Sequence, residues 1–428
     1  MYKVIEGGVT APKGFMAAGC AAGIKKNGKA DMAMIASAVI CDAAGTFTTN
    51  MVKAAPVLYD RKIVKENKKA QVVVVNSGVA NACTGQEGLN ACEATAKKAA
   101  EVLSALRAQD TEGKPSVKGE NGPVEASSVL VASTGVIGAQ IPVDKICNGA
   151  EMLAGMVAPT KESGHEAALA IMTTDTKPKE AAVSITLSDG TTAVIGGMCK
   201  GSGMIHPNMC TMLSFVATDI AIDQALLQDA LSEDIKLTYN MVSVDGDTST
   251  NDTCLLLANG LAGNKKITEK DADYALFCEA LHYVNESLAK KMAADGEGCT
   301  MMFETKVVGA DTLENAKTLA RSVVCSSLTK AAMFGHDANW GRILCALGYS
   351  GVTFDPEKVS ITLKSAAGEL AIVENGISTN YSEEIATKIL SETEVYVTCD
   401  MHMGNAEAAA WGCDLTHEYV TINGDYRS

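Results

Sequence analysis

The sequence is poor in aromatic residues and lacks long apolar runs, and these shortages limit the classes of protein it can form. Aromatic side chains make up 4% of the 428 residues, whereas 47% are hydrophobic and 20% are charged. This composition is typical of a globular chain rich in small residues and argues against a disordered or collagenous one. No stretch approaches the roughly 18 consecutive apolar residues of a membrane-spanning helix. We therefore expect no membrane partner.

Metal and redox motifs are also missing. The 14 cysteines contain no CxxC pair, since the closest two, Cys83 and Cys92, lie nine positions apart. The six histidines lack the spacing of metal ligands, so we predict no metal site. The N-terminus has no basic region followed by an apolar stretch, and we expect neither a signal peptide nor disulfides. These features predict a cytoplasmic protein with reduced thiols.

Charge and length narrow the class further. Thirty-six basic and 51 acidic residues give a formal net charge of −15. A chain this negative is repelled by nucleic acid, so we expect no nucleic-acid partner, and its field mildly favours cationic substrates. The length exceeds the usual limit for one hydrophobic core. We predict two domains, 1–300 and a smaller 301–428, and keep three domains as an alternative.

Hydrophobic patterning alternates between periods of two and 3.6 residues, which predicts a layered, mixed α/β fold. The first half predicts strands at 34–42, 71–78 and 129–133, a helix at 90–106, an exposed excursion at 112–128, and a hairpin at 181–197 turning at Asp189-Gly190. The second half predicts helices starting near Thr268–Asp271 and at Asp311, and strands at 303–308, 359–363, 394–400 and 418–423.

The most unusual segment is residues 196–213, GGMCKGSGMIHPNMCTML. Its four glycines and one proline permit a backbone that other residues adopt at a cost, and Thr211 then opens an apolar run. A glycine-rich loop entering a strand is one interpretation. The other is that the Thr211 hydroxyl attacks the carbonyl of Cys210 and releases a new N-terminus. The freed α-amine, with a reference pKa of about 7.7–8.0, could then act as a base beside the hydroxyl.

A second candidate is residues 129–138, VLVASTGVIG, in which a strand ends in Ser-Thr-Gly. The Thr134 hydroxyl and the Gly135 N–H could form an oxyanion hole. Five further small polar clusters suggest loops that converge on one pocket: NSGVANACTG (76–85), IMTTDT (171–176), SVDGDTSTNDT (243–253), DGEGCT (295–300) and INGDYRS (422–428).

All of these motifs except the cluster at 243–253, together with GGVTAPKGF and ANWGRI, are collinear from about residue 7 to the C-terminus. The set resembles the ornithine acetyltransferase/N-acetylglutamate synthase family of arginine biosynthesis. The resemblance implies an α/β sandwich that is similar to N-terminal-nucleophile hydrolases but differs in connectivity, with a smaller C-terminal α/β domain. It also implies self-cleavage between Cys210 and Thr211, giving chains 1–210 and 211–428 that assemble as α2β2.

The resemblance further implies a glutamate N-acetyltransferase with ping-pong kinetics and no cofactor. Thr211 would take the acetyl group of N-acetyl-L-ornithine, release ornithine, and pass the acetyl group to L-glutamate. Thr134 and Gly135 would form the oxyanion hole. Substrate contacts would come from Thr173, Lys200, Thr211, Glu297, Asn423 and Ser428.

Two residues depart from the family pattern: Cys210 replaces the usual alanine, and Ser428 replaces a common threonine. Whether acetyl-CoA also serves as an acetyl donor stays open at this stage. So do two alternative functions. One is a self-cleaving threonine aminopeptidase or amidase, and the other is a binding protein whose chain stays intact.

Overall fold

The computed structural model describes residues 1–108, 123–206 and 212–425. The predicted excursion at 112–128 therefore lies largely outside the described residues. Within them, no helix is long and apolar enough to cross a membrane. The thirteen cysteines of these ranges are all free thiols.

Strands and helices alternate along the described chain. The strands are β1 (Tyr2–Ile5), β2 (Phe15–Cys20), β3 (Met32–Phe47), β4 (Lys69–Val79), β5 (Val129–Val136), β6 (Lys179–Thr186), β7 (Thr192–Lys200), β8 (Leu213–Thr218), β9 (Val242–Ser243), β10 (Thr253–Ala258), β11 (Met302–Ala310), β12 (Ser360–Ser365), β13 (Gly368–Glu374), β14 (Ile377–Ser378), β15 (Glu394–Asp400) and β16 (Ala406–Cys413). The helices are α1 (Ala55–Glu66), α2 (Gly85–Ala108), α3 (Val143–Met156), α4 (Lys161–Ala170), α5 (Gln224–Asp234), α6 (Ala272–Ala293), α7 (Leu313–Cys325), α8 (Ser327–Phe334), α9 (Trp340–Gly348), α10 (Glu383–Leu390) and α11 (His417–Asp425).

The first sheet is organised around the long strand β3. Its order is β1-β6-β7-β8-β10-β3-β4-β5, and β2 also pairs with β3. The first half of β3 pairs with β2 and β4, and its last six residues pair with β10. The β3–β4 register shifts between Ala36 and Cys41. Such an irregularity bends a strand, and the two halves of the sheet consequently pack against each other.

Alternating side chains fill both faces of this folded sheet. Val73 on β4, and Phe215 and Leu255 on β8 and β10, share one buried cluster between the two halves. Their neighbours point outward: Val72 packs under α2 and α3, and Leu256 packs with α5 and α6. Neighbouring side chains of a strand point to opposite faces of the sheet. Because both faces are covered here, both kinds of position are apolar, and each strand is a continuous hydrophobic run. The result is a four-layer sandwich of helices, two half-sheets and helices.

The second sheet has the order β14-β13-β12-β15-β11-β16-β9. Strand β11 lies between β15, which is parallel to it, and β16, which is antiparallel. Helices α7 and α10 cover it, and their buried side chains join the same core as α6. The predicted mixed α/β class is confirmed, with two sheets and helices against both.

Several sequence-based predictions agree with these elements, and two need correction. Asp271 is the N-cap of α6, where its side chain accepts the Tyr274 N–H, but Thr312 rather than Asp311 caps α7. The predicted strand at 418–423 is wrong, since these residues belong to helix α11. The alternating pattern of that segment is typical of a strand. In the structure the segment is helical, and the Asn423 side chain donates a hydrogen bond to Glu297.

Helix α6 should contribute strongly to stability through Phe277, which is fully buried. Phe277→Ala removes a ring from a close-packed core and should lower the free energy of unfolding by about 3–5 kcal/mol. Denaturant unfolding followed by circular dichroism would measure the loss. Leu313→Ala is the matched control, because Leu313 is 48% exposed and should change stability by less than about 0.5 kcal/mol. Equal effects of both substitutions would contradict the packing.

Candidate active site

A cavity of about 140 Å³ lies where the two half-sheets meet. This is below the roughly 300–1,000 Å³ of sites for drug-sized ligands, so it suits a small metabolite. Each of the five small polar clusters contributes to the lining, as predicted. The residues that line it are Ala80, Thr134, Gly135, Ile137, Thr173, Thr174, Lys200, Gly203, Met204, Ile205, Met212, Leu213, Ser249, Thr250, Asn251, Asp252, Glu297 and Asn423.

The end of β5 presents Thr134 and Gly135 to the cavity. Gly135 lies directly opposite Gly78 of β4 and has φ +127°. A Cβ at Gly135 would lie 2.4 Å from the carbonyl carbon of Gly78, so no larger residue fits without moving a strand.

Lys200, the last residue of β7, reaches the same point. Its Nζ lies 3.4 Å from Thr134 Oγ1 and donates to it. An ammonium has no acceptor, so the Thr134 oxygen must accept and its own proton must point elsewhere. The Lys200 side chain is 9% exposed and lies 3.8 Å from the Asp175 carboxylate. The arrangement places two donors at one end of the cavity.

Glu297 and Asn423 form another wall of the cavity. Asn423 Nδ2 donates to Glu297 Oε2 at 2.7 Å and ties the last turn of α11 to the loop after α6. The Glu297 backbone N–H donates to Ser202 O. A Cβ on Gly203 would lie 2.2 Å from the Glu297 carboxyl carbon, so that glycine makes room for the acid.

The sequence pattern pointed to the polar cluster at 243–253 but did not single out Asn251 within it. Its Nδ2 donates to Ala80 O at 2.6 Å and to Ser133 O at 2.7 Å. These bonds join the start of β10 to the ends of β4 and β5. The sequence signal was the polar cluster itself, but nothing in it indicated which side chain bridges the strands.

His206 lies in the loop that follows β7, six residues after Lys200. Arg321 Nη2 donates to His206 Nε2 at 2.9 Å, so that nitrogen is an acceptor and the ring proton sits on Nδ1. Nδ1 faces Ser243 Oγ at 3.1 Å. Burial, assisted by the positive charge of Arg321, lowers the pKa of His206 to about 4. The imidazole is therefore neutral at physiological pH.

Six predicted site residues thus line one cavity: Thr134, Gly135, Thr173, Lys200, Glu297 and Asn423. Cys210, Thr211 and Ser428 lie outside the described residues. Met212 and Leu213, which follow Thr211 directly, do line the cavity. In the described ranges no group of three His, Cys, Asp or Glu side chains could hold a metal ion.

Comparison with known proteins identifies the family. The model of the ArgJ family matches residues 16–428. The chain belongs to the ArgJ family. It is 50% identical over 426 residues to the arginine biosynthesis bifunctional protein ArgJ of Symbiobacterium thermophilum, covering 99% of each chain. It is 47% identical over 426 residues to the protein of the same name from Caldanaerobacter subterraneus subsp. tengcongensis, covering 100% of each.

Among solved structures, a crystal structure of the ArgJ protein from Bacillus halodurans is 45% identical in sequence, with a TM-score of 0.48. It covers 50% of this chain and 100% of that one. Membership of the ArgJ family confirms the predicted resemblance and makes this chain an acetyltransferase of arginine biosynthesis.

The neutral state of His206 can be tested by NMR. We expect its ring to titrate with a midpoint near pH 4, and Arg321→Gln to raise the midpoint because it removes the neighbouring charge. Since the pKa is lower in the folded than in the unfolded chain, stability should fall as the pH drops from about 6.5 towards 4. A His206→Gln spectrum assigns the resonance, and a wild-type midpoint near 6.5 would contradict the geometry.

Proposed function

We propose that the protein transfers the acetyl group of N-acetyl-L-ornithine to L-glutamate through an acetyl ester on Thr211. The observation that carries this proposal is the position of the cavity. Thr134 and Gly135 present a hydroxyl and a backbone N–H at one end of it, and Met212, the residue after Thr211, lies in its lining. Acyl transfer requires a nucleophile and oxyanion donors that reach the same carbonyl group, and in this proposal Thr211 is that nucleophile.

Maturation makes the nucleophile. In this proposal the Thr211 hydroxyl adds to the carbonyl of Cys210, the C–N bond breaks, and an ester replaces the peptide bond. Water hydrolyses the ester, leaving a carboxylate on Cys210 and a free α-amine on Thr211. Cysteine at position 210 is nearly as small as the family's usual alanine, so we expect cleavage to proceed.

Catalysis then follows two half-reactions. The α-amine of Thr211 accepts its hydroxyl proton while the oxygen attacks the acetyl carbonyl, and the Thr134 and Gly135 donors stabilise the resulting oxyanion. The tetrahedral intermediate collapses, the α-nitrogen of ornithine takes the proton, and ornithine leaves. Glutamate enters the emptied cavity, and its α-amine attacks the acetyl ester to give N-acetylglutamate.

The charges of the lining suit these amino acids. The Lys200 ammonium can bind a substrate carboxylate, and the Glu297 carboxylate can bind the side-chain ammonium of ornithine. Thr173 supplies a further polar contact, and Asn423 holds Glu297 in place. Ser428 would close the site as the end of the tail after α11.

The topology supports lasting association of the two fragments. Strands β6 and β7 belong to 1–210, β8 and β10 to 211–428, and β3 again to 1–210, although all are neighbours in one sheet. Cleavage leaves every one of these pairings intact. We propose that the fragments stay together and pair as α2β2 in the cytoplasm, and that acetyl-CoA is a second acetyl donor, as the word bifunctional in the relatives' names suggests.

The first test is the nucleophile. Purified protein should yield two chains, one beginning Thr211-Met212-Leu213, and incubation with N-acetylornithine alone should add one acetyl group to that chain. Thr211→Ala should give an intact chain without transferase activity. Mass spectrometry of the intact chains measures cleavage and acetylation together.

The same assay separates the alternatives. An uncleaved wild-type chain would support the binding-protein interpretation. A cleaved chain that releases acetate into water, and gives no N-acetylglutamate when glutamate is present, would support the amidase. Assays with glutamate and acetyl-CoA in place of N-acetylornithine measure the second activity.

The second test concerns substrate charge. Glu297→Gln keeps the shape and the bond to Asn423 but removes the negative charge, so kcat/KM for N-acetylornithine should fall by about 10–100-fold. A neutral acetyl-amino acid should be affected much less. Deleting residues 423–428 should weaken turnover while cleavage at Thr211 continues. Unchanged kcat/KM in both variants would contradict the assignment of this wall.

A further inference from the structure

A buried network of four charged side chains lies directly behind the cavity. Lys179 Nζ pairs with Asp175 at 2.7 Å and with Asp295 at 2.6 Å, and Lys200 Nζ lies 3.8 Å from Asp175. All four side chains are less than 10% exposed. Two positive and two negative charges balance, which is the condition under which buried ions are tolerated.

Asp175 is the centre of this network. Its Oδ1 accepts the Lys179 ammonium and the Gly201 N–H, and its Oδ2 accepts the Thr173 N–H at 3.0 Å. Burial alone would raise the pKa of this carboxyl, but Lys200 and Lys179 together with these bonds hold it below its ordinary value. The side chain is therefore a fixed anion beside Lys200.

The charge on Asp175 acts on Thr134 through Lys200. Asp175 holds the Lys200 ammonium on one side, and that ammonium donates to Thr134 Oγ1 on the other. With its oxygen occupied by this donor, the Thr134 hydroxyl has its proton free to point into the cavity. An ammonium at the oxygen also withdraws electrons, which strengthens the hydroxyl as a donor.

We propose that Asp175 is a positioning residue for catalysis: through Lys200 it orients the Thr134 hydroxyl towards the developing oxyanion. This inference rests on the proposed function, because it needs Thr134 to be an oxyanion donor. It gives Lys200 a second task besides binding a substrate carboxylate. It also explains why a network that could be replaced by apolar side chains is built of ions at this place.

A double-mutant cycle tests the relay. Thr134→Ala should lower kcat of the transferase by about 10²–10³-fold, and Asp175→Asn by about 10–100-fold, because a misplaced donor costs up to about 10²-fold. If Asp175 acts through Thr134, adding Asp175→Asn to Thr134→Ala should lower kcat by less than about threefold further. The readout is kcat at saturating N-acetylornithine, with cleavage at Thr211 checked by mass spectrometry.

The cycle needs a control variant and a replacement in case Asp175→Asn does not fold. Asp219→Asn is the matched control, because that buried carboxylate also accepts backbone N–H groups, from Val194 and Lys13, but lies beyond the opposite end of β8 from residue 212. It should leave kcat within about twofold. Should Asp175→Asn fail to fold, the charge-balanced pair Asp175→Asn with Lys179→Met replaces it in the same cycle.

The outcomes distinguish the two levels of the proposal. If Thr134→Ala keeps wild-type kcat, the oxyanion role of the proposed function is overturned, and the relay with it. If Thr134→Ala is slow and Asp175→Asn multiplies that loss in full, only the relay is overturned, and Asp175 is merely structural. A loss of about 10–100-fold from Asp175→Asn alone, with a small further loss on the Thr134→Ala background, supports the relay, whereas an unchanged kcat in Asp175→Asn alone overturns it.

Discussion

The site depends on a single constraint, the folding of one sheet around the bend in β3. Residues 32–36 and 41–42 of β3 pair with β4, residues 42–47 pair with β10, and the β3–β4 register shifts between Ala36 and Cys41. Because one strand belongs to both half-sheets, the end of β5 and the start of β8 face each other across the sandwich. The side chain of Asn251, just before β10, then joins the start of that strand to the ends of β4 and β5 by bonding to Ala80 and Ser133.

The same topology lets the chain lose a peptide bond without losing its fold. The last residue of β7, Lys200, is paired with the first residue of β8, Leu213. A cut between residues 210 and 211 therefore falls in the connection of a hairpin and not in its ladder. Backbone hydrogen bonds and the buried faces of β8 and β10 remain. In the proposed maturation, the strands on both sides of the cut therefore stay paired with each other.

The positions of individual charged side chains around the cavity matter more for this site than the net charge of the whole chain. The net charge of −15 says only that the surface is negative. Behind the cavity the positive and negative side chains balance, and the Lys200 side chain is 9% exposed. Elsewhere in the lining, the Glu297 carboxylate accepts a hydrogen bond from the Asn423 amide.

The sequence by itself determined the family, the class of fold, a start of α6 near Thr268–Asp271 and the segments that line the cavity, because each depends on local pattern or on collinear motifs. Tertiary structure decided the rest. Residues 418–423 alternate like a strand yet form a helix, since strand propensity depends on context, and the helix places Asn423 against Glu297. Lys179 meets Asp295 across 116 residues, and Asn251 meets Ser133 across 118. Contacts this distant along the chain arise only when the folded sheet brings the loops together, and no periodicity in the sequence records them.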